Sequence, residues 1–197
     1  TVYGLGQLGE VEGRIYKGWK IIDEIPHEAR LEGYGLDFGY SNDPTAVVGV
    51  YYYNGGYVLD EVLYRKGMSN QQIASFMNNL DFGVIVADSA EPKSIDELQM
   101  YGLSVVAAKK GSGSILQGIG YVQEQSISMT KRSVNLIKEY RNYLWQTDKD
   151  GKTINIPEGG FDHALDAVRY KLSSILKPKY EIRPTTQTSG ELSALWS

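Results

Sequence analysis

Between Gly33 and Arg65 three β-rich runs follow one another with little chain to spare: GYGLDFG (33–39), AVVGVYYY (46–53) and YVLDEVLYR (57–65). Connections this tight join antiparallel neighbours, because a parallel pair needs a long crossover. Asn54-Gly55, between the second and third runs, is a strong type I′ hairpin signal. The spacing predicts a three-strand antiparallel meander. Ahead of it, residues 14–25 (RIYKGWKIIDEI) read as one or two short strands, after a Gly-rich lead-in over 1–13.

Beyond the meander, strands and helices alternate. Ser69 with Gln72 forms a capping box, followed at helical spacing by Ile73, Phe76, Met77 and Leu80. VIVAD (84–88) reads as a short buried strand. Ser94 with Glu97 reads as a second capping box, opening a helix that stops at Gly102. LSVVAA (103–108) predicts a strand, 114–124 a helix, and SISMT (126–130) a brief strand. Residues 131–144 read as a helix with Val134, Ile137, Tyr140 and Leu144 on its apolar face, and 145–158 as a hairpin turning at Asp150-Gly151. A last helix runs from Asp162 to about Leu176, with Leu165, Val168, Leu172, Ile175 and Leu176 inward. A meander followed by alternating units suits a mixed α/β sheet flanked by helices, and the ribonuclease H-like fold has that order.

Composition narrows the chemistry. At 197 residues and 21.9 kDa the chain fits one domain, placed at 14–177, with a tail over 178–197 expected to be disordered in isolation. No apolar stretch reaches the roughly 20 residues a bilayer span needs, and residues 1–20 hold no secretory core, so no membrane role is expected. There is no cysteine, which excludes disulfides, thiolate zinc sites and a cysteine nucleophile. With His27 and His163 alone, a catalytic metal has to be held mainly by carboxylates. The net charge is −4, but residues 1–100 carry 7 Lys/Arg against 15 Asp/Glu, and 101–197 carry 13 against 9. That polarity permits one face to meet a polyanion.

Two motifs mislead. Gly4-Leu5-Gly6-Gln7-Leu8-Gly9 matches a dinucleotide fingerprint, but only three residues precede it and no capped helix follows. Asp37-Phe38-Gly39 and Asp81-Phe82-Gly83 spell a kinase triplet without the other kinase motifs, and no P-loop is present. Asp37 itself stands inside a strand between Leu36 and Phe38, where a carboxylate needs a cation or charged partner. Gly35 and Gly39 bracket it and leave room for close approach. Asp88 ends the 84–88 strand in the same way, and a fourth core strand pairing beside the first brings the two acids together. Two such carboxylates repel unless a divalent cation lies between them. On the last helix Asp162 suits the N-cap, while Asp166 sits at the edge of the apolar stripe within reach of Arg169 or Lys110. Three Asp from two strands and a helix make an oxygen-rich site for Mg²⁺ or Mn²⁺.

The run from Leu36 to Ala46 (LDFGYSNDPTA) resembles the first motif of the large terminase nuclease domains of tailed bacteriophages. Val84–Pro92 (VIVADSAEP) resembles the second, Lys110–Ile115 with Gly118-Ile119 the family's Lys-Gly-x-Gly-Ser-Ile stretch, and His163–Tyr170 (HALDAVRY) its closing motif. The likeness covers about residues 10–177, with the motifs in family order. It implies a ribonuclease H-like fold, metal-binding acids at Asp37, Asp88 and Asp166, and the family histidine at His163. It further implies an endonuclease cutting double-stranded DNA with two Mg²⁺ or Mn²⁺ ions, in the host cytoplasm. The implied partners are an ATPase domain, a small terminase subunit and a portal or procapsid. The usual ATPase domain is not in this chain, so ATP-driven translocation is not expected of it. His163 either orients a carboxylate or water, or packs as a helix residue. Lys109, Lys110, Lys131, Arg132, Lys149 and Lys152 are candidate phosphate contacts, and the 145–158 hairpin suits a projecting gate. Two rivals remain: an actin- or sugar-kinase-like ATP-binding module, and a non-catalytic module docking a capsid or motor.

Overall fold

The computed structural model describes residues 13–39, 42–111 and 113–176. The Gly4–Gly9 run, nearly all of the lead-in and the whole 178–197 tail lie outside them. The strands β1 (Lys20–Ile22), β2 (Arg30–Asp37), β3 (Thr45–Tyr53), β4 (Gly56–Arg65), β5 (Ile85–Ala87), β6 (Val105–Ala107) and β7 (Ile127–Thr130) form one mixed sheet. Its order is β1-β7-β4-β3-β2-β5-β6. The meander is present: β2–β3 and β3–β4 are antiparallel, and Asn54 (φ 49°) with Gly55 (φ 76°) makes the positive-φ turn expected of Asn-Gly.

Helices α1 (Asn70–Met77) and α2 (Pro92–Met100) cover one face, where Ile73, Met77, Ile95 and Leu98 bury against Leu36, Val47 and Leu63. Helices α3 (Ser114–Gln123), α4 (Val134–Asn142) and α5 (His163–Leu176) cover the other. There Ile119, Leu136, Leu165, Val168 and Leu172 bury against Val48, Val50, Leu59 and Met129. Fully burying each such side chain favours folding by about 1.5–3 kcal/mol. Strands β8 (Trp145–Thr147) and β9 (Thr153–Pro157) form the separate hairpin between α4 and α5. Among the described residues no helix is long and apolar enough to cross a membrane.

Two local expectations need correction. The Ser69/Gln72 box is formed, with Ser69 Oγ accepting from the Gln72 amide at 3.1 Å and Gln72 Oε1 from the Ser69 amide at 2.9 Å. Ser94 and Glu97 form no such box. Pro92, whose missing N–H costs nothing in a first turn, already starts α2, and both side chains instead accept from the Asn70 amide group. Helix α4 begins at Val134 rather than 131, because the chain first turns at Ser133, whose N–H donates to Thr130 O. Its inward side carries Leu136, Ile137, Glu139 and Tyr140, while Val134 is 65% exposed and Leu144 lies beyond the helix end.

Two contacts position the site. Strand β5 pairs parallel to β2 with Leu36 opposite Ala87. Helix α5 lies directly on β2, where a Cβ at Gly35 would overlap the Ala167 carbonyl. The bare backbone at Gly35 lets the helix come that close.

Candidate metal centre

Asp37 closes β2 and Asp88 follows β5, so the parallel register, with Leu36 opposite Ala87, sets them on neighbouring strand ends. Asp166 comes from the first turn of α5, brought over β2 by the contact at Gly35. The acids bear on one another. Burial pushes the Asp37 carboxyl above its usual range, with Asp162 and Asp88 adding to the rise and His163 opposing it. Asp166 is pushed up to about 8, by burial first and Asp162 next, against the pull of Arg169. Asp162 also rises, mainly from burial. It precedes α5 and its carbonyl accepts from the Asp166 amide at 2.7 Å, as an N-cap residue does.

Each side chain has a local partner. Asp37 Oδ2 lies 3.2 Å from His163 Nδ1, Asp88 Oδ1 accepts from the Ala90 amide at 3.0 Å, and Asp166 Oδ1 accepts from Arg169 at 3.3 Å. Asp88 thus caps the turn that follows it, and Asp166 forms the pair with Arg169 that its helical spacing allowed. Among the described residues no three His, Asp or Glu side chains are already gathered on a single point that could hold a metal. The donor set still suits a hard divalent cation. It offers carboxylate oxygens from Asp37, Asp88 and Asp166, and burial with neighbouring acids raises the proton affinities of Asp37 and Asp166, which a cation would offset.

His163 faces Asp37 with Nδ1 and Asp43 with Nε2, at 3.7 Å. Its pKa is pushed up to about 9, chiefly by the hydrogen bond to Asp37. With Nδ1 engaged by Asp37 and Nε2 facing Asp43, the ring is placed to orient the Asp37 carboxylate. Sequence reasoning missed Asp43, which lay unremarked in the first motif, and Glu139, buried in α4. The carboxylate of Glu139 accepts from Tyr64 at 2.7 Å and from the Leu165 amide at 3.1 Å. The apolar period of α4 concealed it.

A cavity of about 590 Å³ opens beside Asp88 and Asp166, with Lys109, Lys110, Ser114, Gln117, Arg169 and Ser173 among its lining. Lys109 and Lys110 are therefore brought to the acids. Lys131 and Arg132 are not: Arg132 grips Asp60 with two 2.7 Å bonds, and Lys131 lies 3.6 Å from Asp23. Lys149 and Lys152 are exposed at the hairpin turn.

Residues 37–174 match the terminase RNase H-like domain family. The chain is 36% identical over 152 residues to the large terminase subunit of Bacillus phage SPP1. It is 29% identical over 167 residues to the PBSX phage terminase large subunit of Bacillus subtilis. These matches cover 73% and 79% of this chain and 36% of each relative, so the chain spans about a third of their length. Among solved structures, the nuclease domain of the SPP1 large terminase with bound Mn superposes with a TM-score of 0.71 at 30% identity, covering 82% of this chain and 98% of that one. The large terminase nuclease of phage G20c with bound magnesium gives 0.62 at 14% identity, over 83% and 98%, a likeness of fold alone. With the meander, the β2–β5 crossover and the acids at their strand ends, these matches make the chain a member of the terminase RNase H-like domain family.

Proposed function

We propose that the chain is the nuclease unit of a phage DNA-packaging machine, a divalent-cation-dependent endonuclease cutting double-stranded DNA with little sequence preference. The observation that carries this reading is the parallel β2–β5 pairing, which sets Asp37 beside Asp88 under the first turn of α5 with Asp166. Asp37, Asp88 and Asp166 would hold Mg²⁺ or Mn²⁺, and a pair of such ions supplies an activated water and a stabilised leaving oxygen in phosphodiester hydrolysis. His163 holds the Asp37 carboxylate in one orientation through Nδ1. Lys109 and Lys110, at the rim of the cavity, contact phosphate and position the strand without reading bases. The β8–β9 hairpin, with Lys149 and Lys152 at its turn, borders the DNA path. In the host cytoplasm the unit works with an ATPase domain, a small terminase subunit and a portal. The test is titration of Mn²⁺ against supercoiled plasmid. Cation-dependent nicking is expected; ATP turnover without nicking would favour a kinase-like module, and no activity at all a docking module.

A further inference from the structure

We infer that Glu139 is a positioning residue for this reaction: from α4, its carboxylate caps the first turn of α5 and so sets where His163 and Asp166 stand against Asp37. The inference rests on the nuclease reading above. Glu139 is fully buried. Its Oε1 accepts from the Leu165 amide at 3.1 Å, one of the first-turn N–H groups that have no partner within their own helix. Its Oε2 accepts from the Tyr64 hydroxyl at 2.7 Å. The Tyr64 ring in turn stands edge-on to the His163 imidazole, with centroids 6.5 Å apart. One tyrosine therefore pins the capping carboxylate and packs the imidazole that orients Asp37.

The same device occurs one step earlier. Glu61, on β4, accepts from the Leu136 amide at 2.7 Å and from the Asn135 side chain at 2.9 Å, capping α4, while Ser133 Oγ accepts from the Glu61 amide at 2.8 Å. Strand β4 thus grips α4 through Glu61, and β4 with α4 grips α5 through Tyr64 and Glu139. Among the described residues no cation pairs with Glu139 within salt-bridge distance, so its burial is costly for stability alone. An apolar residue beside Leu136 and Tyr140 would pack more cheaply. What the carboxylate supplies is an oxygen acceptor for a first-turn amide of the helix that carries His163 and Asp166. A misplacement of about 1 Å at such a site lowers rate by roughly a hundredfold.

The test compares Glu139→Leu, Glu139→Gln and Tyr64→Phe in Mn²⁺-dependent plasmid nicking, with kcat and KM separated, and in the ¹⁵N imidazole resonances of His163. Glu139→Leu should lower kcat at least about tenfold with KM for DNA nearly unchanged, and should move the His163 resonances. Glu139→Gln keeps an oxygen for the Leu165 amide and an N–H₂ for Tyr64, and should restore kcat to within a few-fold of wild type. Tyr64→Phe should fall between them, and it decides the matter if Glu139→Leu does not fold. Wild-type kcat in both Glu139→Leu and Tyr64→Phe, or a Gln variant as impaired as the Leu variant, overturns the inference. If wild type nicks no DNA with any divalent ion, the nuclease reading fails instead, and the His163 resonances still decide whether Glu139 sets the placement.

Discussion

Asp37, Asp88 and Asp166 come from different elements, and no cysteine and a single nearby histidine stand ready to replace them. Each Asp→Ala variant should abolish cation-dependent nicking while far-UV circular dichroism stays unchanged; a variant that still nicks like wild type removes that residue from the site. These acids were legible in the sequence because each broke an apolar run at a place where a carboxylate needs compensation. Glu139 was not, since on a helix an inward polar residue shows only once its neighbours are known. Its burial gives a pH signature. The carboxyl is raised from 4.5 to about 7, so the folded state holds its proton more tightly than the unfolded chain. The stability this gives is complete below pH 4.5 and is lost as pH rises through 7, an upper figure of about 3 kcal/mol. Glu139→Gln should therefore melt higher than wild type at pH 8, with the gap closing towards pH 4.5. A gap independent of pH would show that the burial of charge is not its cause.

Among the elements, α5 depends on the bare backbone of β2. Gly35→Ala would drive a methyl into the Ala167 carbonyl, a backbone atom that cannot rotate away. Overpacking of this kind costs roughly 1–3 kcal/mol, and the helix carrying Asp166 has to lift. Nicking should fall further than stability does; a variant with a lowered melting temperature and full kcat would separate α5 placement from catalysis. The meander, the Ser69 box and the last helix were readable because hairpin and capping signals act over a few residues. The partner of β2 followed only from the habit of such sheets, and β7 was readable as a strand while its parallel pairing with β4 and β1 carried no local mark. The start of α2 was misread because Pro92 and Ser94 both offer helix-opening chemistry two residues apart, and the proline prevails.

For the whole molecule, the net charge of −4 opposes the approach of DNA, so positive side chains have to act locally. Binding should be weak and fall steeply with salt, roughly as the 0.9 power per neutralised phosphate. Lys109→Ala with Lys110→Ala should slow nicking at low DNA concentration and flatten the salt slope, leaving metal binding intact; an unaltered slope would move the DNA path away from the cavity. Mn²⁺ should raise the melting temperature, by about 2.7 kcal/mol of linkage at a hundredfold excess over Kd. Replacement of all three Asp by Asn should remove most of that rise, and an equal rise in both proteins would sink the clustered-carboxylate site. The crossover that joins β2 to β5 has a further consequence in time. Asp37, Asp88 and Asp166 are spread along most of the domain, so a chain emerging from the ribosome lacks the third acid until α5 is made. On the proposed nuclease reading, cutting of any DNA beside the chain waits until α5 is made.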